Sequence, residues 1–312
     1  MILATGSLAF DYIMDYGGVF SDNIMPDKIH KISLSFLLNT LKKQHGGTAG
    51  NIAYTLALLK TPVSIFAAAG NDFSQYLDFL KQTGVDTTNI QIVMDKPTAS
   101  AFIMTDKMDN QITGFYPGAM SDSANYSLKD LAAKTELVII SPNDPKAIIK
   151  QSQECRELKL SFMIDIGMQL PVLELEQIKQ ILKGAKILIG NDYEIGLLKS
   201  KTSLTEQDLF NEVEIIITTL GANGSNIKTK TENINISPAK PKEVLDPTGA
   251  GDAYRSGFLA GYIKGFDLKV CGQMGAVSSC YTVEKYGTTS HKFTVQEFCE
   301  RYRDNFDDEL SL

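Results

Sequence analysis

The chain lacks the residue groupings that build metal cages and disulfide frameworks. Its four cysteines, Cys155, Cys271, Cys280 and Cys299, stand far apart with no Cys-x-x-Cys pair, which argues against a zinc site and for a reducing cytoplasm. The three histidines, His30, His45 and His291, form no cluster. No long Lys/Arg run occurs and the formal net charge is −7, so a nucleic acid is not an expected partner. No apolar run is long enough to span a bilayer, and the N-terminus, without a basic region and running into Asp11 and Asp15, reads as a strand rather than an address. The Walker sequence Gly-x-x-x-x-Gly-Lys-Ser/Thr is absent, as is a Gly-x-Gly-x-x-Gly turn after the first apolar run. No repeat, low-complexity tract or long linker divides the chain. What is present, 312 residues with 43% hydrophobic and 21% charged, suffices for one large core.

Short, often β-branched runs recur at residues 2–5, 63–68, 137–141, 162–166, 186–189 and 215–218, alternating with stretches of helical spacing. This predicts an α/β fold in three layers, a mainly parallel sheet with helices on both faces. Helices are expected over 48–59, over 73–82 and over 171–183, the last with Pro171 in its first turn. Residues 98–106 and 111–116 read instead as strands joined by a polar turn at 107–110, and residues 11–45 are rich in Gly, Asp and Ser. Together they predict a small β-rich lid, from about 11–45 and 96–120, inserted in a single domain spanning 1–312; a plain hairpin decoration is the alternative.

The segment Asp246-Pro247-Thr248-Gly249-Ala250-Gly251-Asp252 puts two carboxylates around small residues where a helix begins. It can offer backbone N–H groups to a phosphoryl and a carboxylate to an attacking hydroxyl, although a Pro-Thr-Gly turn with a favourable charge at a helix start has the same sequence. Ala253, Gly257, Ala260 and Gly261 would let that helix pack closely. Asp11 follows the first strand, and Gly46-Gly47-Thr48-Ala49-Gly50-Asn51 opens a helix with Asn51 able to bind a hydroxyl, or to act as a local cap. Asn191 and Glu194 are one turn apart, a spacing that suits hydrated Mg²⁺ or a capping pair. Thr219-Leu220-Gly221-Ala222-Asn223-Gly224 offers either a phosphate or ribose loop or a hairpin turn. Phe10, Ile13, Met14, Phe102 and Tyr116 could wall a flat base; Ile13 and Met14 fit core packing better, and Phe102 and Tyr116 are the preferred pair. Arg255, one helical turn past the neighbourhood of Asp252, could reach phosphate, but surface pairing is its expected fate.

These segments, in this order, resemble the ribokinase-like (PfkB) family of sugar and nucleoside kinases over essentially the whole chain. Gly46–Asn51 and Asp246–Asp252 match its two signatures, with Asn191-x-x-Glu194 a third point of likeness. The resemblance implies Asp252 as the catalytic base, with Gly249, Ala250, Gly251 and Asp252 supplying anion-hole amides. It implies Asp11, Gly47 and Asn51 on substrate hydroxyls, Asn191 and Glu194 around Mg²⁺ and phosphate, and Thr219, Gly221 and Gly224 at ATP. Asp246 and Thr248 match the neighbourhood where many members bind K⁺. Residues 7–11, 116–120 and 283–288 look most like the adenosine-kinase-like bacterial branch. The implied protein is a cytoplasmic monomer or homodimer that phosphorylates a purine nucleoside, adenosine first; the alternatives are a ribokinase- or fructokinase-like sugar kinase and a non-catalytic nucleotide-binding relative.

Overall fold

A computed structural model describes residues 1–24, 30–31, 33–108 and 110–312. The strands are β1 (Ile2–Thr5), β2 (Ala9–Tyr16), β3 (Leu38–Gly46), β4 (Val63–Gly70), β5 (Ile90–Val93), β6 (Ala99–Thr105), β7 (Gln111–Tyr116), β8 (Leu137–Ile140), β9 (Ser161–Ile164), β10 (Ile187–Asn191), β11 (Ile215–Thr219), β12 (Ser225–Lys228) and β13 (Asn233–Ile236). The helices are α1 (Thr48–Leu58), α2 (Ser74–Gln82), α3 (Pro145–Glu157), α4 (Leu175–Leu182), α5 (Asp192–Thr202), α6 (Glu206–Glu212), α7 (Ala250–Ile263), α8 (Leu268–Val283) and α9 (Val295–Phe306).

Nine strands form the main sheet in the order β13-β12-β11-β10-β9-β8-β1-β4-β5, parallel from β11 through β5. Their near-continuous apolar runs follow from burial on both faces. Ile2 and Ala4 of β1 point into one core with α1, α2, α7, α8 and α9, while Leu3 points into the other with α3 to α6. The α/β layering expected from the sequence is therefore the observed one. Helix α4 departs in detail: it begins at Leu175, because Glu174 and Gln177 form a reciprocal capping box, and Pro171 lies in the turn ahead of it.

Strands β3-β2-β6-β7 form a second, four-stranded sheet. Its pieces come from the two sequence-distant regions expected to form a lid. Residues 25–29 and 32 of the first region, and 109 of the turn in the second, lie outside the described residues. In the main sheet, parallel strands all end at one edge, and there the second sheet joins through Gly46-Gly47 and Pro97-Thr98. Gly70 approaches so closely that a Cβ on it would lie 2.1 Å from the Thr98 amide nitrogen.

Candidate active site

Gly249 turns the chain into α7 with φ 79°, and a Cβ there would lie 2.9 Å from Thr288 Cγ2. The first intrahelical bond runs from the Ala253 amide to the Gly249 carbonyl, leaving the amides of 250–252 ahead of the ladder. Ala250, expected in the anion hole, instead donates its amide to the Pro247 carbonyl at 3.2 Å and closes the turn. Gly251 and Asp252 keep the amides at the positive end of the helix. Below them, α7 packs tightly on α8: a Cβ at Gly257 would lie 2.3 Å from the Met274 carbonyl oxygen.

The Asp252 carboxylate accepts a 2.8 Å bond from Asn51 Nδ2, joining the first turns of α7 and α1 across 201 residues of sequence. Asn51 is buried, and its Oδ1 has no partner among the described residues. An unmet buried acceptor costs about 1–3 kcal/mol, so this oxygen suits a hydroxyl donor on a ligand. Burial raises the Asp252 carboxyl above its ordinary range; Arg255 and the Asn51 bond pull it down, and the charges of Asp11 and Glu194 add to the rise.

Asp11 lies on β2 opposite Gln44, and a Cβ on Gly46 would sit 2.3 Å from its Oδ2. Burial and, secondarily, the Asp246 charge push its carboxyl up to about 6. Gly47, at φ 87°, caps α1; the close approach it permits is to the chain itself, since a Cβ would lie 2.6 Å from both the Ala9 amide nitrogen and the Ser7 carbonyl. The register of the second sheet separates the expected base wall. Asp11 pairs with Ala101 and, through it, Phe115, whereas Phe102 pairs with Tyr12, and Tyr116 is aligned with Phe10 through Ser100. Phe102 and Tyr116 thus occupy the face opposite Asp11, with Phe102 stacked on Tyr12 at 5.0 Å. Met14 shares that opposite face, and Phe10 is buried in the core beside Phe73 and Tyr76. Asp11's own face carries Ile13, Ala101, Ile103 and Phe115, so of the five residues expected to wall a base only Ile13 shares the face of Asp11.

At the ends of β10 and β11, both alternative readings are realised. Asn191 and Glu194 form a reciprocal capping box on α5, with two 2.7 Å bonds between each side chain and the other's amide. Thr219-Leu220-Gly221-Ala222-Asn223-Gly224 is the turn of the antiparallel β11–β12 hairpin. Gly221 at its tip, φ 57°, has open space beside it. Asp246 pins the loop before α7, one oxygen accepting from the Thr248 amide and the other from the Gly287 amide, both at 2.9 Å. Thr248 itself is exposed.

Two further charged groups stand at the site: Asp165, which no motif marks, and Arg255, for which surface pairing is the expected fate and a reach to phosphate the alternative. Arg255 is buried, not surface-paired, and its Nε lies 2.7 Å from Asp165 Oδ2, with both side chains under a tenth exposed. Asp165 follows β9, at the same edge as Asn191 and Thr219; burial lifts its carboxyl to about 6 against the lowering pull of Arg255. The available signal was a carboxylate set inside the apolar run 162–166. The donor set fits a divalent cation held through water: Asp165 Oδ1 is buried without a partner, and Glu194 exerts its charge on Asp165, Asp252 and Arg255. Among the described residues, no three His, Cys, Asp or Glu side chains form a direct metal cage.

Comparison with known proteins agrees with the α/β fold and with the family resemblance. The pfkB family carbohydrate kinase domain matches residues 11–294. The nucleoside kinase of Methanothermobacter thermautotrophicus is 31% identical over 305 residues, covering 96% of this chain and 95% of that one. The structure of Burkholderia thailandensis nucleoside kinase in complex with inosine is similar with a TM-score of 0.91 at 30% identity, over 99% of this chain and 100% of that one. The same enzyme in complex with ADP-inosine gives a TM-score of 0.88 at 32% identity, over 99% and 97%.

Proposed function

The chain belongs to the pfkB family of carbohydrate kinases, phosphotransferases with an alcohol acceptor, and from that premise we propose that it transfers the γ-phosphoryl of ATP to the 5′-hydroxyl of a purine nucleoside, adenosine first. The observation that carries the reading is the Asn51–Asp252 hydrogen bond, with an unmet acceptor on Asn51 beside a base at the mouth of α7. The inosine-bound relative supports a purine acceptor.

In this mechanism Asp11 and Asn51 hold the ribose hydroxyls and leave the 5′-hydroxyl directed at Asp252. The hydroxyl oxygen forms its bond to the γ-phosphorus as the bond from that phosphorus to the β-bridging oxygen breaks, and the hydroxyl proton passes to the Asp252 carboxylate. Asn51 Nδ2 fixes the orientation of that carboxylate. The Gly251 and Asp252 amides, at the positive end of α7, meet the charge on the phosphoryl oxygens. Thr219, Gly221 and Gly224 line the nucleotide from the hairpin, and Gly47 supports the acceptor from the α1 cap. Glu194 and Asp165 would hold Mg²⁺ through water beside Asn191, and that ion supplies charge neutralisation to the phosphates. Asp246 and Thr248 lie where K⁺ would tighten a loop already pinned by backbone bonds. The second sheet acts as a lid whose Asp11 face, with Ile13, Ile103 and Phe115, covers the base and excludes water from the transfer.

An acceptor panel of adenosine, guanosine, inosine, cytidine, ribose and fructose with Mg-ATP, with and without K⁺, tests the reading. A purine nucleoside should give the highest kcat/KM. Ribose or fructose ahead of every nucleoside would make the protein a sugar kinase.

A further inference from the structure

Arg255 is placed at the reacting end of α7 by its own helix. Four residues after Gly251, its side chain runs back toward the helix N-terminus, and a Cβ on Gly251 would lie 2.8 Å from Arg255 Nη1. The guanidinium therefore fills the space that a side chain at the anion-hole glycine would need. The residue is only 6% exposed, and the buried atoms of the pair left without a partner are Arg255 Nε and Asp165 Oδ1; no hydrogen bond from either terminal nitrogen to a protein acceptor is found among the described residues. Among the described residues its one ion pair, Nε to Asp165, is close but poorly aligned as a hydrogen bond, and the second oxygen of Asp165 has no partner. A buried pair that existed only for stability would close its hydrogen bonds, because unmet buried donors offset the attraction between the charges. This pair leaves a planar fork of donors beside the two open amides of α7, the arrangement that recognises a phosphoryl group.

We propose that Arg255 is a phosphoryl-binding residue of the transfer reaction, its terminal N–H groups meeting the transferred group from beside Gly251 while Asp165 holds the guanidinium in place. The inference rests on the kinase reading above and adds to the donors of the helix a full positive charge at the same point. Binding of the transferred group predicts a loss confined to turnover and to ATP. The nucleoside hydroxyls are held by other residues, Asp11 and Asn51.

Arg255→Met should lower kcat by 10²-fold or more, with KM for the nucleoside within about threefold. Added guanidinium ion should restore part of the rate. A folded Arg255→Met protein with kcat within about threefold of the parent overturns the proposal, as does an equal loss of nucleoside and ATP affinity. If that variant does not fold, Arg255→Lys keeps the charge without the fork and should lose at least about tenfold in kcat; unchanged kcat overturns the proposal. The unaltered protein gives an independent test. With ¹⁵N-labelled arginine, the Arg255 side-chain N–H resonances should shift on adding a non-hydrolysable Mg-ATP analogue together with nucleoside, and a signal that stays in place overturns the assignment. Unaltered protein that phosphorylates no nucleoside would instead bring down the kinase reading itself.

Discussion

Asp11, proposed to hold the ribose hydroxyls, costs the free fold stability. Its carboxyl, normally near 3.8, stands at about 6 in the folded protein because burial and Asp246 both oppose its charge. Between those values the folded chain holds the proton more tightly than the unfolded chain, so stability from this group is greatest at low pH and falls as pH rises through the window. Asp11→Asn should therefore stabilise the free protein by about 1–3 kcal/mol at pH 8, with the gain vanishing near pH 4, measured by urea unfolding at both values. The same substitution should weaken nucleoside binding while leaving ATP binding unchanged. A variant that is less stable at pH 8 would mean that the carboxylate is already compensated in the folded state. Asp252 follows the same logic in activity: with Asp252 as the proposed base, its raised carboxyl should place the acid limb of the kcat profile above the ordinary carboxylate range, since a base works only when ionised.

At the scale of elements, the loops that open α1 and α7 depend on glycine for different reasons than the hairpin does. Gly47, at φ 87°, combines a backbone closed to other residues with a Cβ position 2.6 Å from backbone atoms on Ser7 and Ala9. Gly221, at φ 57°, has a free Cβ position. Gly47→Ala should cost about 2–4 kcal/mol from strain and overpacking together, against about 1 kcal/mol for Gly221→Ala. Equal costs in denaturant unfolding would show that the packing of Gly47 on β2 does not set the α1 loop. Much of this level was legible in the sequence: apolar runs marked six main-sheet strands, and the glycines and Asp246–Asp252 marked the start of α7. The four-residue strand β5, half-exposed in its middle, lacked such a run. The side of the second sheet was not legible, because a strand's alternation tells which residues share a face but not which face meets the crevice. Nor was the burial of Arg255, which requires Asp165, just past the end of β9 and 90 residues earlier, to come beside it. Capping boxes and ligand sites share one vocabulary of Asn, Glu and Gly, which is why Asn191 and Glu194 could be read both ways until α5 was seen to begin between them.

Over the whole molecule, the parallel sheet brings the ends of β9, β10 and β11, the starts of α1 and α7, and the base of the second sheet to a single edge. Asp165, Glu194 and Asp252 gather there around Arg255, with Asp11 acting on Asp252, an excess of negative charge that is costly in the free protein. The likeness to nucleoside kinases extends over nearly the full chain, so the shared feature is the whole fold and not an isolated motif. Its central claim is that Asp252, aimed by Asn51, takes the proton of a nucleoside 5′-hydroxyl. The most direct test is single-turnover formation of purine nucleoside 5′-monophosphate from Mg-ATP by the parent protein and by Asp252→Asn, with nucleoside affinity measured alongside. The account predicts a product phosphorylated at the 5′ position and a variant that binds nucleoside but is slower by roughly 10²–10⁴-fold; a folded variant turning over at the parent rate, or a parent that yields no nucleotide, would contradict it.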